Sequence, residues 1–433
     1  MPRSYGPRAT TGYQNVLYDA AVLWEWVGFL VRWLHIITAI AWIGSSFYFI
    51  ALDLGLTKRP DLPAGVGGEE WQVHGGGFYH VQKYFVAPAA MPEHLTWFKW
   101  ESYATWLSGA ALLAIVYWWG AELYLIDPTR ADLSVWQAVA ISAASLTVGW
   151  LLYDTACKSK LGHHPTLLMV LLWLALTIIG WAYTQVFTGR AALLHLGALT
   201  ATIMTANVFL IIMPNQRIVV ADLKAGRTPD PDYGRIAKLR STHNNYLTLP
   251  VVFLMLSHHN PLATSTAYNW VIASLVFLLG VVIRHWFNTR HVQKDAPLMA
   301  GPTWTWPVAA GILIAIAWLS TAPDLSVAEA RAASTPRVGS ERLAALKSSE
   351  HFEGASNVVA RHCSMCHAAE PAWPGIVVAP KGVMLHTPDL IARHATPIYL
   401  HAARSHAMPP AKMSRITADE RALLRRWYET ASD

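Results

Sequence analysis

Near the C-terminal end of the chain stands RHCSMCHAAEP, residues 361–371. Cys363, Cys366 and His367 spell C-x-x-C-H, the spacing at which two cysteines bind a haem covalently as a c-type group. His367 can give the iron one axial nitrogen, and a thioether as the second ligand would raise the reduction potential. Met384, Met408 and Met413 compete for that place. Met408 is preferred, because the two prolines of HAMPP lack N–H groups and stiffen its approach. The alternative readings of the motif are a zinc half-site and a redox dithiol. Only one further cysteine exists, Cys157, which reads as a structural thiol.

A second set of chemistry-bearing residues lies within apolar sequence, where ionisable groups are costly and mark function by default. Arg32 and His35 sit inside the first apolar run, and Glu25 shares a helical face with Arg32. Glu101 opens the second run beside Lys99, with His94 just before them. His195 lies in the fifth run, His243 and His258 bracket the sixth, and Arg284 and His285 close the seventh. The plainer readings are interior hydrogen-bonding for each histidine, snorkelling for Arg32, and an interfacial ion pair for Lys99 and Glu101. HNNYLTLP, ending at Pro250, resembles the interrupted helices that line binding sites, or is a simple kink.

The elements that must position these residues follow from composition. The 433 residues are 54% hydrophobic and 14% charged, against about 25% charged in a soluble domain. The 21 tryptophans suit membrane interfaces. The first twenty residues lack the apolar core of a cleavable signal. Apolar runs fall near 22–50, 102–120, 133–153, 166–187, 191–213, 245–260, 267–287 and 303–320. Most reach the roughly 20 residues that a bilayer requires; the sixth is short and carries Pro250.

The expected fold is all-α. It comprises an eight-span transmembrane bundle over residues 1–320, a linker over 321–345, and a small all-α class I cytochrome c domain over 346–433. In that domain Phe352, Ala355 and Val359 recur at helical spacing, and Thr417 with Glu420 forms a capping box. Leu423, Leu424 and Trp427 then make an apolar face. A unit of this size needs a staple, and covalent haem is one.

Basic residues crowd the odd-numbered connections. Lys58, Arg59, Lys83 and Lys99 lie in the first, and Lys158 and Lys160 in the third. The fifth holds Arg217, Lys224, Arg227, Arg235, Lys238 and Arg240, and the seventh Arg290 and Lys294. The even connections carry Arg130 and Arg190. Basic loops stay in the cytoplasm, so both termini and the C-x-x-C-H should lie in the periplasm of a bacterial inner membrane. The net charge of +6 is then largely topogenic and requires no nucleic-acid partner. The long first connection is rich in Trp, Phe, Tyr and His. Its Gly75, Gly76 and Gly77 permit either a close backbone approach or a turn.

The apolar runs, HGGGFYHVQKY…PEHLTWFKWESYATWLSG and CSMCH together resemble the bacterial membrane-bound urate oxidases along essentially the whole chain. The resemblance implies oxidation of urate to 5-hydroxyisourate, with electrons leaving through haem c held by Cys363, Cys366, His367 and a methionine. A downstream soluble cytochrome c or terminal oxidase would receive them. It identifies no catalytic residues in the membrane half. Urate is a planar anion that calls for aromatic faces, a cation, amides and a general base. His94, Lys99, Glu101, Arg284 and His285 supply the charged and basic types among these. RWLHIITAIAWIGSSFY is similar to the first span of membrane protoporphyrinogen oxidases. That likeness, with His35 near mid-depth, raises a non-covalent haem b as a bridge across the bilayer. The competing functions are a non-enzymatic membrane-anchored electron carrier and a transporter with an appended cytochrome.

Overall fold

The computed structural model describes residues 20–84, 88, 91–128, 130–264, 266–292, 302–321, 340–373, 376, 379–404, 408–409 and 414–431. It is mostly helical. The long helices of the first part are α1 (Ala20–Gly55), α2 (Trp100–Leu112), α3 (Val135–Lys158), α4 (Pro165–Val186), α5 (Gly189–Ala206), α6 (Met213–Lys224), α7 (Pro231–Ser257), α8 (Asn269–Val292) and α9 (Thr305–Thr321). Among the described residues five stretches are long and apolar enough to cross a membrane: Val22–Gly55, Val135–Lys158, Pro165–Val186, Gly189–Lys224 and Asn269–Arg290.

The sequence explains the local starts. Ser134 and Gln137 close a capping box at the head of α3, Pro165 occupies the first turn of α4, and the Thr188 hydroxyl caps α5. Helix α5 is the centre of the core. Ala191, Ala192, Leu193, Leu196, Leu199 and Ile203 are all buried between α3, α4, α7 and α8. Helix α1 runs along the side, with Trp26, Phe29, Trp33, Ile37 and Ile40 turned outward, the face a lipid-contacting helix presents.

Three expectations change. The chain is not purely α: β1 (Val66–His74) and β2 (Gly77–Tyr84) form an antiparallel hairpin in the first connection. Gly75 and Gly76 have φ of +59° and +81° and meet nothing within 4 Å where a side chain would stand, so they serve the turn. The sixth apolar run is not short, since α7 is continuous through Pro250. Gly280 of α8 makes room for that ring: a Cβ there would come within 2.5 Å of Pro250 Cδ. Arg240 is not a loop charge, because it lies inside α7 at 1% exposure. The fifth connection between helices narrows to residues 225–230. Of the six basic residues expected there, Arg227 lies in the connection and Arg217, Lys224, Arg235 and Lys238 are exposed on the adjoining parts of α6 and α7, whereas Arg240 is buried.

The C-terminal unit contains α10 (Ser340–Ser348), α11 (Phe352–His362) and α12 (Ala418–Thr430). Leu343 and Leu346 of α10 enter its core, so the folded unit begins by Ser340. Ala355, Val359, Leu424 and Trp427 are fully buried, and the Thr417–Glu420 capping box is present. Gly354 lets α11 lie close on α12, where a Cβ would meet Leu423 Cδ2 at 2.9 Å. Val22 of α1 packs against this core.

Candidate functional site

At the C-terminal motif, α11 ends at His362 and the chain turns through Cys363–Cys366. The His367 N–H and Cys366 N–H both donate to the Cys363 carbonyl, at 2.9 and 3.1 Å. His367 Nδ1 bonds the Val383 carbonyl at 2.8 Å, which orients the ring and leaves Nε2 for a metal. Burial holds His367 below the ordinary histidine range, against the Val383 bond that raises it, so its neutral, ligating form is favoured. Burial pushes the Cys363 thiol up to about 11, with the neighbouring Cys366 adding to the shift. Reactive dithiols have lowered values, so this environment does not suit a redox pair. Met408 is held by its backbone. Its N–H donates to the His401 carbonyl at 2.8 Å, and its own carbonyl accepts from Arg421 Nη1 at 3.0 Å. The side chain is 37% exposed. Met384 lies in the described region and Met413 outside it. The free Cys363 and Cys366 thiols and the oriented His367 ring are of the types a covalent haem would use. Among the described residues there is no cluster of three or more metal-ligating side chains.

The helical part holds two neighbouring polar sites, both served by α7. On one side, Arg240 Nη2 pairs with Asp154 Oδ1 at 2.6 Å, and Arg240 Nη1 donates to Asn207 Oδ1 at 3.1 Å. Asn207 Nδ2 reaches the Tyr153 hydroxyl and Asn244 Oδ1, each at 3.0 Å. The Tyr153 hydroxyl bonds His243 Nδ1 at 2.8 Å, while His243 Nε2 is buried without a partner. Asn207 opens a π-helical turn, Asn207–Ile212, between α5 and α6; such bulges concentrate at functional sites. Of this cluster the sequence singles out His243, with Asn244 in the HNNYLTLP stretch, but not Tyr153, Asp154, Asn207 or Arg240 as site residues. Asp154 stands one residue beyond the expected third span, and Arg240 was assigned to a loop.

On the other side of α7, Arg284 of α8 is 5% exposed. Its Nε–H donates to Asn245 Oδ1, and its guanidinium lies 4.4 Å from the centre of the Phe47 ring. His285 Nδ1 stands 3.5 Å from the Tyr246 hydroxyl, at the limit of a hydrogen bond. Asn244 and Asn245 therefore face the two clusters from adjacent positions. The structure keeps His94 exposed, Lys99 over the Trp100 ring at 5.7 Å, and Glu101 half-buried in the first turn of α2. No hydrogen bond or ion pair among the described residues joins these three to Arg284 or His285. Next to Lys99, Phe98 contacts Phe49 of α1 edge-on at 4.7 Å, two residues from Phe47 but on another face of the helix.

His35 Nδ1 lies 3.0 Å from the Thr105 carbonyl and 3.1 Å from Ser108 Oγ on α2. His195 is fully buried between the Ala191 carbonyl and Ser142 Oγ, a satisfied interior histidine. A groove of about 680 Å³ between Met91, Pro92 and Glu93 on one side and Leu223, Lys224 and Arg227 on the other contains none of the expected site residues.

Fold and site thus define a helical protein with the build of a membrane protein, a buried polar interior and an attached C-x-x-C-H unit. The family model for the urate oxidase N-terminal region matches residues 21–320. The chain belongs to that family, and the match makes it a urate-related oxidoreductase. No curated protein and no solved structure matches it.

Proposed function

We propose that the chain is a membrane urate oxidase that forms 5-hydroxyisourate and delivers electrons through its C-terminal unit to a soluble cytochrome c or terminal oxidase. The carrying observation is the family match over residues 21–320 in a chain whose C-x-x-C-H unit packs against the start of the same bundle at Val22. That contact also supports a shared side for the two ends of the bundle, as expected for eight spans with both termini periplasmic.

The reaction adds the oxygen of water to urate and releases two electrons and two protons. Arg284 offers a cation to the urate anion, and the Phe47 ring offers an aromatic face. His285 takes a proton, with the Tyr246 hydroxyl steadying its ring. Lys99, Glu101 and His94 complete the proposed set from the α2 side of α1. In the C-terminal unit Cys363 and Cys366 would hold a haem covalently, and His367 and Met408 would hold its iron. When bound, such a haem would supply one-electron transfer, which matches a two-electron oxidation in two steps. A second, non-covalent haem on His35 belongs to the same reading, because its Nδ1 bond to α2 leaves Nε2 for iron.

Incubating the purified protein with urate and oxidised cytochrome c tests the proposal. Loss of the urate absorbance band together with cytochrome reduction is expected. Neither change would leave the electron carrier or the transporter.

A further inference from the structure

Among the described residues, Arg284 is a buried cation without a counter-ion. Its partners are an amide oxygen and an aromatic face, and its Nη2 is buried with no hydrogen-bond partner. This differs from Arg240, which is also buried but is paired with Asp154. A lone buried guanidinium is expensive, because neither its charge nor its N–H groups are compensated. One turn further along α8, Asn288 Oδ1 is also buried without a partner. Residues four apart share a helix face, with Cβ atoms about 5–6 Å apart. An unsatisfied charged donor and an unsatisfied acceptor therefore share one face of α8, with the donor beside the face of Phe47.

We propose that Arg284 is the anion anchor of the substrate site, with Asn288 as the acceptor for a ring N–H and Phe47 as a wall. The ligand chemistry this fits is a planar anion whose edge alternates C=O and N–H, as an oxidised purine's does. The inference rests on the urate reading and deepens it: it places the substrate where α1, α7 and α8 meet, and makes Asn245 the residue that aims the guanidinium. A small inorganic anion would satisfy the charge alone. It would not use the Asn288 acceptor or the ring.

The test uses the full-length holoprotein with its haem chemically reduced, so that urate binds without turning over. Urate affinity is measured by calorimetry, and KM and kcat by steady-state oxidation. Asn245→Asp is nearly isosteric and places a carboxylate on Arg284. It should raise the thermal midpoint, since it neutralises a buried charge, yet weaken urate binding about tenfold or more, the scale of a lost charged hydrogen bond. Asn288→Asp should act in the same sense and serves if the first variant does not fold. Chloride and phosphate at millimolar levels should leave urate affinity unchanged; displacement by either would assign Arg284 to an inorganic anion and overturn the proposal. Wild-type urate affinity and KM in both aspartate variants would also overturn it, while leaving the urate reading intact. A wild-type protein that neither binds nor oxidises urate would remove the reading itself.

Discussion

At the residue scale the buried pair Asp154–Arg240 sets the stakes. Lys158 also reaches Asp154, at 2.6 Å, but from the exposed end of α3. Removing one buried partner leaves the other charge uncompensated, so Asp154→Asn should cost about 3–5 kcal/mol. Asp154→Leu with Arg240→Met should recover most of that loss in thermal unfolding of the detergent-solubilised protein. A double variant as unstable as the single would show that the pair is not the unit of stability. In the C-terminal unit, Met408→Ala should abolish the methionine–iron absorption band and shift the haem potential, while Met384→Ala should do neither. The reverse result would transfer the axial role to Met384. The two regions differ in how legible they were. Cys363, Cys366 and His367 are recognisable because covalent attachment fixes their spacing locally. Arg240 is not, because what distinguishes it from its basic neighbours is a partner 86 positions away on α3.

At the element scale the apolar runs located the helices well, since about 20 apolar residues leave few other options. Helix α7 escaped that rule. Its middle carries Arg240, His243, Asn244 and Asn245, all buried and polar, so its full length does not show as hydropathy. The hairpin has a sequence signal, since the alternation in EEWQV and FYHVQ flanks a glycine turn, but its histidines and aromatics equally suit a binding loop. The stacked pair Trp71 and His80, 4.2 Å apart, confirms cross-strand packing on one face. The fit of α7 on α8 at Pro250 gives a test. Gly280→Ala places a methyl group within 2.5 Å of Pro250 Cδ and 2.7 Å of Cγ, and should cost about 1–3 kcal/mol by overpacking. Pro250→Ala should relieve it, so the double variant should be more stable than Gly280→Ala alone. Strict additivity of the two losses would refute the contact as the cause.

At the scale of the whole molecule, α1 connects the proposed chemistry to the C-terminal unit. Phe47 lies at the Arg284 site, His35 twelve residues nearer the N-terminus, and Val22 thirteen further, against the C-terminal core. At 1.5 Å per residue these steps are roughly 18 and 20 Å along the helix. A direct transfer over the full length would exceed the roughly 30 Å of a bilayer core and be too slow for turnover. His35 divides the distance nearly equally. It is also the residue whose ring is fixed by the α2 backbone, with Nε2 left available. The full chain carrying Cys363→Ala and Cys366→Ala cannot hold haem c. It should lose urate turnover yet retain a b-type spectrum, and acid–acetone should extract that haem because no thioether anchors it. Adding His35→Ala should remove the spectrum while urate binding persists. A colourless double-cysteine variant that still binds urate would eliminate the bridge at His35. The oxidation site would then have to be sought at the Val22 end of the bundle, within direct reach of the C-terminal unit.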